Sequence, residues 1–207
     1  MNMKTCKLLF QGDSITDADR VRENPLDLGT GYPYYAAQLL RAQHPDVDFT
    51  FWNRGIGCDE TQHLLARIEP DLIALQPDVV SLLIGINDTW HHADARDWMP
   101  LPVFEVRYRE ILERIRKETN AKLMVIEQYL FPVPDKTYFA EDLAPKQACV
   151  RALAKEYADV FLPAHELAQQ AAAAHGSDTF TADGVHLNET GARWLAEAYA
   201  KAIAPLL

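Results

Sequence analysis

Serine is scarce in this chain: Ser14, Ser81 and Ser177 are the only three among 207 residues. Any chemistry that needs a serine hydroxyl has three places to put it. Cysteine is equally rare. Cys6, Cys58 and Cys149 are odd in number and widely spaced, which argues against a disulfide framework and fits a reducing compartment. Basic residues are outnumbered, with 20 Lys and Arg against 30 Asp and Glu, a formal charge of −10. That balance argues against nucleic acid and anionic membrane surfaces, both of which select basic patches, and disfavours strongly anionic substrates. No apolar run approaches the length needed to span a bilayer. The stretch Met1 to Thr5 lacks the long apolar region of a signal peptide, so a cytoplasmic protein is expected. There is no internal repeat.

Two further absences narrow the chemistry. The Gly-x-Ser-x-Gly elbow of α/β-hydrolases is missing. So are His-Glu-x-x-His and paired-cysteine metal patterns. His91-His92 with Asp94 and Asp97 reads as a solvated loop, because no fourth ligand is anchored nearby. No metal or cofactor is called for.

What is present alternates regularly. Apolar runs at Leu8–Gln11, Val47–Trp52, Val79–Ile84, Lys122–Ile126 and Val160–Leu162 predict five strands. Helical patterns lie between them. In Phe104–Lys117, the residues Phe104, Tyr108, Ile111, Leu112 and Ile115 recur at helical spacing, with Glu105, Arg109, Glu113 and Arg116 on other faces. A last helix is expected from near Asn188, a favourable N-cap, through Ile203. Strand–helix alternation predicts an α/β fold with a parallel sheet covered on both sides, in one domain over 1–207. The loops after the strands then share one edge, where open parallel sheets build their sites. Phe131-Pro132-Val133-Pro134-Asp135 is expected to form a stiff wall of such a site.

Four motifs fall at those strand ends or just before the last helix. Gly12-Asp13-Ser14-Ile15 closes the first apolar run. A serine hydroxyl needs an adjacent base to act as a nucleophile. Ser81 sits inside an apolar run and Ser177 in a surface loop, which leaves Ser14. Taken alone, Ser14 fits a helix cap as well as it fits a nucleophile. Asp183-Gly184-Val185-His186 offers a base and a carboxylate three residues apart, close enough in a turn to meet. Alone, that pair is more often structural. Asn87, in Gly85-Ile86-Asn87-Asp88, can donate an amide hydrogen to a developing oxyanion, or merely shape a turn. Asn53-Arg54-Gly55-Ile56-Gly57-Cys58 is a glycine-bearing turn whose backbone N–H groups can approach a ligand.

In this order along the chain, the four motifs resemble the SGNH hydrolases, the GDSL-type esterases and lipases. Gly12-Asp13-Ser14 is similar to the first block of that family, Asn53 to Cys58 to the second, Gly85 to Asp88 to the third and Asp183 to His186 to the last. The resemblance implies a flavodoxin-like three-layer α/β/α sandwich with a five-stranded parallel sheet, no metal, and acyl transfer to water. It implies Ser14 as nucleophile, His186 as base and Asp183 as its orienter. It also implies an oxyanion hole made by the Ser14 N–H, a second-block N–H and the Asn87 amide. One departure stands out. The family's second block usually reads Asn-x-Gly-x-x-Gly, and counting from Asn53 places Cys58 at the last glycine. The Cys58 N–H is the expected donor, with Gly57 as the alternative; a left-handed backbone there would strain a cysteine.

Leu28-Gly29-Thr30-Gly31-Tyr32 after Asp17–Arg22, together with Gly85 to Trp90, looks like bacterial SGNH esterases that deacetylate xylan-type oligosaccharides. Trp90, His91 and Trp98 are the expected substrate rim, offering flat faces to sugar rings. The expected partner is thus a small ester, an acetylated oligosaccharide in particular, with neither nucleic acid nor membrane, and the likeness to sugar esterases that assemble extends the expectation to a homo-oligomer. Two alternatives stay open. One is a general short-chain carboxylesterase, thioesterase or lysophospholipase on the same residues. The other is a non-catalytic flavodoxin-like module binding phosphate or a nucleotide at its glycine-bearing loops.

Overall fold

Neighbouring residues of the first strand face opposite ways, and both sets are apolar, so the sheet has to be covered twice. The computed structural model, which describes residues 3–207, has that arrangement. Strands β1 (Lys4–Gly12), β2 (Val47–Asn53), β3 (Val79–Leu83), β4 (Lys122–Ile126) and β5 (Val160–Leu162) form one parallel sheet in the order β2-β1-β3-β4-β5. The helices are α1 (Ser14–Asp17), α2 (Tyr32–Gln43), α3 (Thr61–Asp71), α4 (Asn87–Ala93), α5 (Leu101–Glu118), α6 (Ala140–Tyr157), α7 (Ala164–His175) and α8 (Glu189–Ile203).

Leu8 and Phe10 of β1 pack in one layer with Leu40 of α2, Ala168 of α7 and Tyr199 of α8. Leu9 packs in the other with Ile68 of α3, Ile115 of α5 and Leu153 of α6. The fold is therefore a three-layer α/β/α sandwich with the flavodoxin-like strand order. Helix α5 shows what holds a layer in place. Its stripe Phe104, Tyr108, Ile111, Leu112 and Ile115 is wholly buried, and each of the four purely apolar side chains contributes about 1.5–3 kcal/mol.

Four of the expected strands appear with boundaries shifted by one residue or not at all. β1 is longer, starting at Lys4, because it pairs with β2 from Lys4↔Val47 onward while Lys4, Thr5 and Lys7 point to solvent. Polar residues on that half hide the strand from a search for apolar runs. Ser81 is wholly buried within β3, and its hydroxyl accepts from Tyr199 at 3.2 Å. The Cys6, Cys58 and Cys149 thiols are all unpaired. No helix among the described residues is long and apolar enough to cross a membrane.

The strand order places a site. From β1 the chain passes to β2 on one side, then returns across β1 to β3 on the other. The loops leaving β1 and β3 diverge at this switch and open a crevice at the carboxyl edge. Helix α8 supplies the last component. Asn188 caps it by accepting the Gly191 N–H at 3.0 Å, and the Tyr199 ring packs at a tilt against Phe10, 5.3 Å between centroids. The segment just before α8, which carries Asp183 and His186, is thereby anchored to β1.

Candidate active site

The serine at the end of β1 is not a helix cap. Asp13 performs that role: its Oδ1 accepts the Ile15 N–H at 3.0 Å. Ser14 is the first helical residue, and its Oγ lies 2.8 Å from His186 Nε2. Asp13 itself is wholly buried, and its Oδ2 has no partner among the described residues. Burial pushes its carboxyl up to about 7, offset in part by the Ile15 N–H and by His186.

His186 is held by a turn that its own sequence builds. Asp183 Oδ1 accepts the backbone N–H groups of Val185 and His186, at 2.9 and 2.8 Å. Asp183 Oδ2 lies 2.7 Å from His186 Nδ1. An ionised carboxylate only accepts, so Nδ1 carries the hydrogen and Nε2 is left as an acceptor facing Ser14. The Asp183 bond raises the imidazole above the ordinary histidine range, against the opposing effect of burial. Burial raises Asp183, but the bonds from the His186 ring and from the two N–H groups outweigh it and leave the carboxyl well below the usual range.

The turn is braced from behind. Phe131 N–H donates to Gly184 O at 2.8 Å, Tyr129 Oη to Val185 O at 3.1 Å and Thr181 Oγ1 to His186 O at 2.7 Å. Gly184 has φ +87°, and a Cβ there would stand 2.9 Å from Val133 Cγ2, so glycine is required. The proline-stiffened segment Phe131 to Asp135 thus backs the Asp183–His186 turn, and the cleft beside Ser14 is lined by other residues.

The loop after β2 approaches α1 closely. A Cβ on Gly55 would stand 2.3 Å from the Asp17 nitrogen. Asn53 ties the loop to its neighbours, with Nδ2 donating to Thr16 O at 2.6 Å and to Leu28 O at 3.0 Å. Asp59 N–H closes a turn onto Ile56 O at 3.2 Å, with Cys58 left-handed at φ +67° in the position where such turns favour glycine. The two candidate donors of this loop differ in availability. Gly57 N–H is taken by Asp17 Oδ2 at 2.9 Å, whereas Cys58 N–H has no acceptor among the described residues.

Asn87 opens α4 and is buried at the end of β3's loop, with Nδ2 donating to Asp59 O at 2.9 Å. One amide hydrogen remains. Helix α4 is locked from below. The wholly buried Lys146 Nζ donates to Asp88 O at 2.6 Å and to Asp142 Oδ2 at 2.5 Å. Asp142 Oδ2 also accepts Thr89 Oγ1 at 2.6 Å, and the Asp88 carboxylate accepts the Thr61 N–H and hydroxyl at 3.0 and 2.6 Å. A buried charge is tolerated only with such saturation.

Beside Ser14 and His186 opens a cleft of about 510 Å³, whose lining includes Asp17, Asp19, Arg22, Thr30, Gly57 and Leu187. The stretches Asp17–Arg22 and Leu28–Tyr32, which carried the resemblance to sugar esterases, supply much of it. Of the expected rim, Trp90 is adjacent to the site, 5.6 Å from the His186 ring. From Trp90 a row of rings continues through Phe139 (5.9 Å) and Tyr138 (5.1 Å) to Trp98 (6.4 Å). His91 turns aside to Glu60 Oε1 at 2.9 Å. None of the three lines the 510 Å³ cleft itself. The cap at Asp13 is detectable in sequence, as an acidic residue before a helix. The buried Lys146 carries no local signal at all.

Residues 10–194 match the GDSL-like lipase/acylhydrolase family. An acetylxylan esterase of Geobacillus stearothermophilus is 41% identical over 118 residues, 55% of this chain and 54% of that enzyme. The match thus spans about half the length of the curated relative. Among solved structures, a GDSL-like protein from Parabacteroides merdae superposes with TM-score 0.90 at 28% identity, covering 99% of this chain and 97% of that one. The acetylxylan esterase Axe2 of G. stearothermophilus superposes with TM-score 0.87 at 28% identity, covering 97% and 95%. Catalytic mutants of Axe2 replace a serine, an aspartate and a histidine, one at a time, by alanine.

Proposed function

Because the chain belongs to the GDSL-like lipase/acylhydrolase family, we propose that it is a serine esterase that removes acetyl or similarly short acyl groups from small carbohydrate esters. The observation that carries this reading is the line from Ser14 Oγ to His186 Nε2, 2.8 Å, and on from Nδ1 to Asp183 Oδ2, 2.7 Å. A phosphate-binding module has no use for that line.

The chemistry follows from the bonds. Ser14 Oγ attacks the ester carbonyl as its proton passes to His186 Nε2, and Asp183 stabilises the imidazolium. The carbonyl oxygen becomes an oxyanion, received by the Ser14 N–H, the Cys58 N–H and the remaining Asn87 amide hydrogen. Collapse expels the sugar alkoxide, which takes the proton from the imidazolium and leaves acetyl-Ser14. Water, deprotonated by His186, then attacks the acyl-enzyme; Ser14 Oγ leaves, takes the proton back from the imidazolium, and acetate is released. Cys58 is preferred over Gly57 because the Gly57 N–H is committed to Asp17.

Substrate class rests on the surroundings. The cleft beside Ser14 is lined by Asp17, Asp19, Arg22 and Thr30, which suit hydroxyl-bearing leaving groups, together with the apolar Ile15, Ala18 and Leu187. The ring row from Trp90 to Trp98 provides flat apolar faces for neighbouring sugar units. The similar Geobacillus enzymes are acetylxylan esterases, which points the same way.

Two measurements test the proposal. A serine-directed phosphonate should label Ser14; no labelling, with tight nucleotide binding instead, would remove the enzyme reading. Rates on acetylated xylo-oligosaccharides should exceed those on acyl-CoA and lysophospholipid. Preference for long acyl chains would replace the sugar reading with a lipolytic one.

A further inference from the structure

Arg67 lies on α3, away from the reacting atoms, yet its guanidinium touches both strand ends that flank the site. The side chain is 14% exposed. Its Nε donates to Asp59 Oδ2 at 2.6 Å. Its Nη1 reaches Arg54 O at 2.7 Å, Asp71 Oδ2 at 2.8 Å and Gln11 Oε1 at 3.3 Å. Its Nη2 donates to Gly12 O at 3.0 Å. Gln11 and Gly12 end β1, two residues before Ser14. Arg54 and Asp59 belong to the loop after β2, on either side of Cys58. Asp59 O in turn accepts the Asn87 amide at 2.9 Å, so the third loop is joined through the same residue.

One planar cation therefore ties together the segments that carry the Ser14 N–H, the Cys58 N–H and the Asn87 amide. Only a guanidinium can do this. It presents donors in a fixed fork along divergent directions, whereas a lysine ammonium is a single point on a flexible stem. The left-handed Cys58 adds a reason for the brace. A strained backbone persists only where its surroundings over-determine it, and the Arg67–Asp59 pair holds the residue next to it.

We propose that Arg67 is a positioning residue that sets the mutual spacing of the three oxyanion donors without touching the substrate. The proposal rests on the esterase reading above and adds a residue that the family motifs do not contain. An oxyanion hole works by preorganisation, so a shift of its donors costs transition-state stabilisation while leaving ground-state binding nearly intact.

The test compares Arg67→Lys and Arg67→Met with the wild type, alone and combined with Asn87→Ala. Active sites are titrated to completion with the phosphonate, so that kcat is read per competent site. Arg67→Lys is expected to lower kcat about tenfold or more with KM within about twofold. The His186-governed acid limb of the pH profile should stay in place. In the Asn87→Ala background the same change should cost less than about threefold, because the donors it aligns are already incomplete. A purely structural role would instead lower melting temperature with kcat per titrated site unchanged, or give losses that multiply fully in the double variant. Either result overturns the proposal. Should the Arg67 variants not fold, Asp59→Ala removes the acceptor of the Nε hydrogen bond while keeping the Asp59 backbone carbonyl, and the same kcat loss and coupling to Asn87→Ala are expected. If Asn87→Ala alone leaves kcat unchanged, the oxyanion reading itself fails, and the proposal with it; an impaired Asn87→Ala with multiplicative Arg67 losses sinks the Arg67 proposal only.

Discussion

Asp183 divides its carboxylate between the backbone and the ring of His186: Oδ1 accepts the His186 N–H at 2.8 Å, and Oδ2 faces Nδ1 at 2.7 Å. The same group therefore fixes where the imidazole sits, which tautomer it adopts and how tightly it binds a proton.

The pH profile should report that coupling. As the proposed base, His186 has to be neutral to take the Ser14 proton, and the Asp183 bond raises it above the ordinary histidine range. The acid limb of kcat/KM is expected above that range. Asp183→Ala removes the partner that favours imidazolium, so the limb should move to lower pH while the plateau falls. A limb that stays in place or moves up would contradict the pairing.

Ser14→Ala should abolish turnover and phosphonate labelling. It should leave the fold intact, because the cap of α1 is made by Asp13. Calorimetry is expected to show a melting temperature within a few degrees of the wild type, as for substitutions that open no core cavity.

Asn87→Ala should lower kcat about 10²–10³-fold with little change in KM, the usual cost of removing one oxyanion donor. Steady-state kinetics on an acetylated sugar check it. A rise in KM at constant kcat would place Asn87 in ground-state binding instead.

Cys58 offers a prediction of opposite sign. At φ +67° a glycine is more comfortable than a cysteine, and Cys58→Gly should stabilise the protein by up to about 1 kcal/mol with activity retained. Cys58→Ala should also retain activity, since the proposed donor is the backbone N–H. Loss of activity in Cys58→Ala would point to the thiol.

Asp13→Asn tests the buried cap. Burial pushes the folded-state carboxyl up to about 7, above its unfolded value. The contribution of a group raised in this way is fully present below the unfolded pKa and is lost as pH rises through the folded one. Asparagine can make the same cap without titrating. Urea denaturation should therefore show Asp13→Asn gaining stability relative to wild type between about pH 4 and pH 8. A constant difference across that range would mean that Asp13 does not titrate there.

Much of the architecture was legible in the chain because it is written in local periodicity. Val79 to Leu83 is apolar at nearly every position, as a strand covered on both faces must be. The α5 stripe and the Asn188 cap lie where spacing and residue type put them. The sandwich and the family were within reach, since the strands, the helices and the four short motifs all sit in continuous sequence.

Side-chain pairings between distant positions were decided only by the tertiary structure. Ser14 and His186 are separated by 172 positions, and nothing local states that their atoms lie 2.8 Å apart. The Gly57 and Cys58 N–H groups differ in availability only because the folded chain brings Asp17 Oδ2 to the first of them. Arg67 and Lys146 read as ordinary helix residues until the loops they hold are folded over them. Periodicity records which face of an element meets the core, because burial repeats with the backbone. It does not record which polar atom meets which, because a hydrogen bond depends on ångström-scale placement of segments that the chain brings together only on folding.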